Sequence, residues 1–258
     1  MPEGDTIAWH ANRIRPVLEG RVPDEIRTPQ QRHGRDRWPE RLGGRQVTRV
    51  DTHGKHLFLR FDGGLTLHSH LRMTGSWGVY RPGRRWGRAP RRAWLVLRAG
   101  EVEVVQFDGP VLELMTDGRT RFDRQLAGLG PDVLAETFDR DRFLARLRGD
   151  DPTRAIGDAL LDQRTVAGIG NMWKAEGCWE GQVDPWRPTR EVTNDEAIAI
   201  VDGMRPGMQL SAAEGPRSIV HQVYGKRGQP CPRCGTRIRA RGQGDDNRNT
   251  YWCPGCQH

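Results

Sequence analysis

Residues 45–61 read RQVTRVDTHGKHLFLRF, and this run decides the fold class of the first half of the chain. It is crowded with β-branched and aromatic residues, and Gly54-Lys55 sits where one strand must end and the next begin. Four further runs of the same kind follow, LTLHSHLRM (65–73), RAWLVLRA (92–99), EVEVVQF (101–107) and VLELM (111–115). Turn signals such as Asp62-Gly63-Gly64 and Ala99-Gly100 join them, so residues 45–115 predict an antiparallel, β-rich domain of sandwich type.

Upstream, DTIAWHANRIRPVLEG (5–20) places Ile7, Ala11, Ile14, Val17 and Leu18 at helical spacing, with Gly20 as a stop, which predicts an N-terminal helix. Between helix and strands, RTPQQRHGRDRWPERLGG (27–44) is polar and rich in Gly and Pro; it reads as an irregular loop. Downstream, GLGPDVL (128–134) breaks the strand pattern, and helical spacing takes over in AETFDRDRFLARLRG (135–149). PTRAIGDALLDQ (152–163) reads as a helix with Thr153 as its cap, and TNDEAIAIVDGMR (193–205) as one opened by a Thr193/Glu196 capping box. The expectation is an α+β chain with boundaries at 1–120, 128–222 and 223–258.

The 258 residues carry 41 Lys and Arg against 33 Asp and Glu, a formal charge of +8. Such a surplus favours polyanionic partners, nucleic acid before an anionic membrane surface. Three of the cations are lysines, Lys55, Lys174 and Lys226, so few side-chain amines exist to serve as nucleophiles or proton donors. No run of about 20 apolar residues is present to span a membrane. The start, with Glu3 and Asp5, is unlike a signal peptide. A cytoplasmic protein is expected, in which clustered cysteines bind metal rather than form disulfides.

Four motifs carry chemistry. Cys231-Pro-Arg-Cys234 and Cys253-Pro-Gly-Cys256 are separated by 18 residues. Two such pairs can set four thiolates tetrahedrally around one structural Zn2+ with the intervening chain as a hairpin, a closed site that does no catalysis. Arg233, Arg237, Arg239, Arg241 and Arg248 make that hairpin a candidate phosphate-binding finger, with Arg248 singled out because it precedes the second cysteine pair. Gly168-Ile169-Gly170-Asn171 opens a helix, where backbone N–H groups and Asn171 can bind a phosphate; the simpler reading is a cap and turn. Lys55 follows a glycine at a strand entry, and His53, His56, His68 and His70 near it suggest a metal site, although the four cysteines already account for one metal.

The fourth motif is MPEGDT (1–6). Once Met1 is removed, Pro2 presents a secondary α-amine, and α-amines lie near pKa 8, well below lysine at about 10.4. Such an amine can attack an electrophilic carbon and form an iminium, with the Glu3 carboxyl beside it as a possible general acid. By itself the stretch is also an ordinary helix start, proline and acids suiting the first turn.

Taken together and in order, MPEGDT, GKHLFLRF (54–61), SHLRMTGSW (69–77), LGPDVL (129–134), LLDQRTVAGIGNMWKAE (160–176), VYGKRGQPCPRCG (223–235) and NTYWCPGCQ (249–257) resemble the formamidopyrimidine-DNA glycosylase and endonuclease VIII family of DNA repair enzymes. The resemblance implies a β-sandwich domain, a helix-two-turn-helix domain and a zinc-finger hairpin, acting as a monomer on double-stranded DNA with a damaged base or an abasic site. It implies that Pro2 is the nucleophile at the sugar C1′ of a flipped nucleotide, assisted by Glu3, and that the Schiff base permits β- and δ-elimination. It makes Lys55 a proton donor that touches phosphate, Arg248 the grip on the flanking phosphates linked to δ-elimination, and Gly170-Asn171 a phosphate-holding turn. Leu71, Arg72 and Met73 become candidates for filling the gap left by the flipped base. No organic cofactor is implied.

Two departures matter. Asn247 stands where the family's finger usually has glycine before its arginine, and asparagine tolerates positive φ. VVQFDGPVLEL (104–114) lacks the Arg-x-Phe pair of the 8-oxoguanine-preferring branch, which, with MPEGDT, leans the expectation toward endonuclease VIII and oxidised pyrimidines. A purine preference, or a damaged-DNA-binding protein without catalysis, are the alternatives.

Overall fold

The structure, a computed structural model, describes residues 2–81 and 83–258. In chain order the elements are α1 (Gly4–Leu18), β1 (Glu25–Arg27), α2 (Gln31–Arg35), α3 (Trp38–Leu42), β2 (Val47–His53), β3 (His56–Phe61), β4 (Leu65–His70), β5 (Ser76–Tyr80), β6 (Ala93–Ala99), β7 (Val102–Phe107), β8 (Val111–Thr116), α4 (Asp117–Phe122) and α5 (Arg124–Ala127). They are followed by α6 (Arg140–Arg148), α7 (Ile156–Ala159), α8 (Asn171–Glu180), α9 (Asn194–Glu214), β9 (Arg239–Gln243) and β10 (Arg248–Trp252). Two compact units emerge. One takes Pro2 and Thr6–Ala127, the other Glu3–Asp5 and Gly128–His258.

The first unit holds two four-stranded antiparallel sheets, ordered β1-β6-β7-β5 and β2-β3-β4-β8. Odd-numbered positions of β3 and β4, Leu57, Leu59, Phe61 and Leu67, enter a core with Val47, Val50, Leu95, Leu97, Val104, Leu112 and Leu114, as period-2 alternation requires. Ile7, Ala11, Ile14 and Leu18 bring one face of α1 into the same core. The β-sandwich and the N-terminal helix are therefore as the sequence implies. The expected loop at 27–44 is a correction: it contains α2 and α3. Pro39 sits in the first turn of α3, where its missing N–H costs nothing, and Trp38 and Leu42, four residues apart, are buried in the sandwich core.

The second unit packs α6, α8 and α9 around Phe143, Leu147, Ile156, Ile169, Trp173, Ile200, Val201 and Met204. Thr193 and Glu196 form the capping box of α9 in both directions. Thr153 is not a cap, which corrects the second helix. That helix is the single turn α7 behind Ala155, and Thr153 instead donates its backbone N–H and hydroxyl to Asp151. β9 and β10 pair as a hairpin, Arg248 opposite Gln243. Among the described residues, no helix is long and apolar enough to cross a membrane.

Candidate active site

The hairpin places the four cysteines together. Their Sγ atoms all lie within 4.8 Å of one another, with Cys231–Cys256 at 3.8 Å and Cys234–Cys253 at 3.4 Å, and none forms a disulfide. A regular tetrahedron with Zn–S bonds of about 2.3 Å has edges near 3.8 Å, so the set fits one structural zinc held by Cys231, Cys234, Cys253 and Cys256. The Trp179 indole donates to Cys231 Sγ at 3.3 Å, and the Cys253 N–H donates to Gln257 Oε1. The fifth cysteine, Cys178, is fully buried, and its thiol is pushed up to about 12 by burial, an inert filler.

The arginines of the finger divide. Arg233 stacks on Trp179 at 4.0 Å and donates to its carbonyl, Arg241 stacks on Trp186 at 3.8 Å, and Arg237 donates to the Gly228 carbonyl. These contacts hold the finger in place while all three arginines stay exposed on it. Among the described residues, the Arg248 side chain is held by an exposed ion pair, its Nη2 2.7 Å from Asp246 Oδ2. Asn247 takes φ +48°, the left-handed conformation that the substitution of asparagine for glycine has to tolerate.

The glycine turn is already occupied by an anion. Glu3, 2 % exposed, accepts from the N–H of Gly170 (2.9 Å) and Trp173 (3.2 Å) on Oε2 and from that of Met172 (2.9 Å) on Oε1. No side chain of the turn caps α8; Glu3 does so from 167 residues away. A Cβ on Gly170 would lie 2.3 Å from Glu3 Cδ, and one on Gly4 would lie 2.9 Å from Gly168 Cα, so both glycines permit this close approach. The Gly4 N–H donates to the Gly168 carbonyl. The expectation that these N–H groups await a phosphate is therefore corrected for Gly170, whose N–H serves Glu3. Asn171 donates its Nδ2 to the carbonyl of Asn249 on β10 at 2.9 Å.

Two buried groups went unnoticed in the sequence. Glu176 accepts from the N–H groups of Gln222, Val223 and Tyr224 at 2.7–3.0 Å, seating the segment that leads into the finger. Lys174, with no exposed surface, reaches Thr250 and Gln243 of the hairpin. Nothing in local spacing marks either one beyond a charged residue on the apolar side of a helix.

In the first unit, Lys55 is partly exposed on a two-residue hairpin between β2 and β3, with His53 opposite His56 and Gly54 at φ +57°. Behind it three histidines share the outer face of the sheet. His56 Nδ1 and His68 Nε2 are 2.8 Å apart, and His56 stacks on His68 and meets His70 edge-on. Burial holds all three below the ordinary imidazole value, His56 to about 2 and His70 to about 4, with the charges of Arg72 and Lys55 also acting on His70. His70 Nδ1 accepts from the Arg72 N–H, which implies a neutral ring.

Of the gap-filling candidates, Leu71 is corrected: at 1 % exposure it continues the core-facing parity of β4 and packs in the sandwich. Arg72, at φ +49°, and Met73, 69 % exposed, occupy the turn that follows. Asp108 and Arg88 brace that turn. Arg88 Nη1 donates to the Thr74 carbonyl and to Asp108 Oδ2, both at 2.7 Å, and the Thr74 hydroxyl donates to the Asp108 carbonyl. Pro2 is partly exposed just before α1, and Met1 lies outside the described residues.

A sandwich, a helical unit whose glycine turn is capped by the N-terminal acid, and a four-cysteine hairpin define a DNA-repair glycosylase architecture. The chain belongs to the formamidopyrimidine-DNA glycosylase family: residues 1–122 match the formamidopyrimidine-DNA glycosylase N-terminal domain, 129–222 its H2TH domain, and 228–258 the zinc finger found in FPG and IleRS. It is 41 % identical to the probable endonuclease 8 2 of Streptomyces coelicolor, over all of this chain and 94 % of that one. It is 34 % identical to the DNA-(apurinic or apyrimidinic site) lyase Nei2 of Mycolicibacterium smegmatis, over all of this chain and 99 % of that one. The fold is shared with Lactococcus lactis Fpg in complex with DNA containing N7-benzyl-Fapy-dG, at a TM-score of 0.83 and 24 % identity over the whole of both chains.

Proposed function

We propose that this chain is a bifunctional DNA glycosylase and AP lyase of base excision repair that works through the α-amine of Pro2. What carries the reading is membership of the family along the whole chain, with Pro2 directly preceding a glutamate seated by three backbone N–H groups. The amine nitrogen attacks C1′ of an extruded nucleotide, the C1′–base bond breaks, and the base leaves with a proton. Ring opening yields an iminium between Pro2 and C1′, loss of a C2′ proton expels the 3′ phosphate, and a second elimination expels the 5′ phosphate. Glu3 assists proton transfer beside the amine, Lys55 supplies a proton around the first elimination and touches phosphate, and Arg248 with Asn171 steadies the flanking phosphates.

Met73 is the side chain best placed by exposure to enter the duplex, with Arg72 beside it. The absence of an Arg-x-Phe pair in 104–114 favours oxidised pyrimidines. A monomer acting on double-stranded DNA in the cytoplasm, at the nucleoid, completes the proposal.

Borohydride reduction with abasic-site DNA tests it. A covalent adduct that peptide mapping places on Pro2 is expected; no adduct, as for a protein that only binds damage, or attachment at a lysine, overturns it. Duplexes bearing thymine glycol, 5-hydroxyuracil or 8-oxoguanine test the lesion class, with faster excision of the pyrimidines expected.

A further inference from the structure

Lys174 is a charged side chain with no exposed surface, drawn toward its charged form by Asp158 and Glu3 and opposed by Arg248. Its Nζ donates to Thr250 Oγ1 at 2.5 Å and to Gln243 Oε1 at 3.2 Å. Thr250 Oγ1 in turn donates to Gln243 Oε1 at 2.7 Å, and Gln243 Nε2 donates to the Pro185 carbonyl at 2.7 Å. Thr250 and Gln243 are themselves buried, at 0 % and 4 % exposure.

These partners surround Arg248. Gln243 is its cross-strand neighbour, and Thr250 lies two residues further along β10. Between them, the carbonyl of Asn249 receives Asn171 Nδ2. Asn171 and Lys174 are three residues apart on α8, so one face of that helix holds the two residues after the arginine and its cross-strand neighbour.

An apolar side chain of similar length would fill the space without desolvating an ammonium, so volume is no reason for a lysine here. A polar group buried in this way specifies register. A slip of the hairpin along α8 would take the ammonium away from the Thr250 and Gln243 oxygens that accept its hydrogens. Burial lowers the Lys174 ammonium to about 8, which still lies above 7 and leaves it mostly charged at pH 7.

We infer that Lys174 is a positioning residue for Arg248, a buried polar peg that fixes the register of the zinc hairpin on α8 so that the arginine meets the phosphate beside the lesion. The inference rests on the assignment of Arg248 to δ-elimination given above. It predicts that loss of the peg changes the outcome of the reaction after the covalent intermediate has formed, rather than the formation of that intermediate.

The test uses full-length protein on abasic-site duplex, with Lys174→Met as the main variant and Thr250→Val, nearly isosteric but without the hydroxyl, as the second. Zinc content, rate of borohydride-trapped adduct and ratio of δ- to β-elimination product are read in each. The expected result is one zinc per chain, adduct formation within about twofold of wild type, and a δ/β ratio lowered about tenfold in the direction of Arg248→Ala. Combined with Arg248→Ala, Lys174→Met should lower the ratio no further, since both act through the same contact. If Lys174→Met loses its zinc, Thr250→Val decides by the same ratio. Unchanged ratios in zinc-bound variants, or effects that multiply with Arg248→Ala, overturn the inference alone. A wild-type protein that forms no adduct overturns the reading beneath it, and this inference falls with it.

Discussion

The two units bury polar side chains in opposite ways. The first packs a large apolar sandwich and keeps His10 on α1, and His56 and His70 on the outer face of a sheet, neutral, burial lowering them to about 3, 2 and 4. The second seats two carboxylates, Glu3 and Glu176, in three backbone N–H groups each, and surrounds its buried ammonium with a hydroxyl and an amide oxygen. The difference is one of supply. A sheet interior has spent its backbone donors on neighbouring strands, whereas helix starts and the entry to a finger leave N–H groups looking for acceptors. The carboxylates of the second unit are therefore seated by backbone donors, whereas Glu103, buried in the first, takes its donors from the side chains of Arg27 and Trp86.

Stripping the metal is the severest way to separate the units. Chelation, or Cys231→Ala, removes a contribution on the order of 10 kcal/mol for structural zinc in isolated fingers. Amide exchange should then rise throughout β9 and β10 while the sandwich strands keep their protection; equal loss in both units would contradict the division drawn here.

Acid should do the reverse. A buried histidine with a lowered folded value gives stability that is complete above the unfolded value of about 6.5 and is lost as pH falls below it, because only the unfolded chain then takes up the proton. At pH 5 each of His10, His56 and His70 costs about 2 kcal/mol, on the order of 6 kcal/mol in sum, and His68, also lowered, acts in the same direction. Urea unfolding followed strand by strand at pH 7 and pH 5 should show the sandwich weakening first. A midpoint independent of pH would remove the basis of the contrast.

Smaller, and confined to the second unit, is the loss of Glu3. Glu3→Ala strands the N–H groups of Gly170, Met172 and Trp173 and should destabilise α8 by about 3 kcal/mol. The check is the exchange rate of those amides, with β3 and β4 unaffected.

Much of this was readable from short range. The capping box of α9 and the cysteine pairs are local patterns whose chemistry needs only a few bonds of chain, and both stand where the spacing put them. Leu71 could have been placed too, since its parity with Leu67 already pointed into the core. The helices in 27–44 escaped because only Trp38 and Leu42 betray them amid polar residues, and Thr153 misled because an Asx turn uses the same residue types as a cap.

By itself the sequence determined the β-rich and helical halves and the zinc ligands, which rest on periodicity or on residues close in the chain, and the resemblance of its ordered motifs pointed to the family. Only the tertiary structure decided that Glu3 fills the glycine turn, that Glu176 and Lys174 anchor the finger, and which finger arginines stack on tryptophans. Those pairings join residues 46 to 170 positions apart, and no local spacing encodes which buried donor will meet which acceptor once the chain has closed on itself.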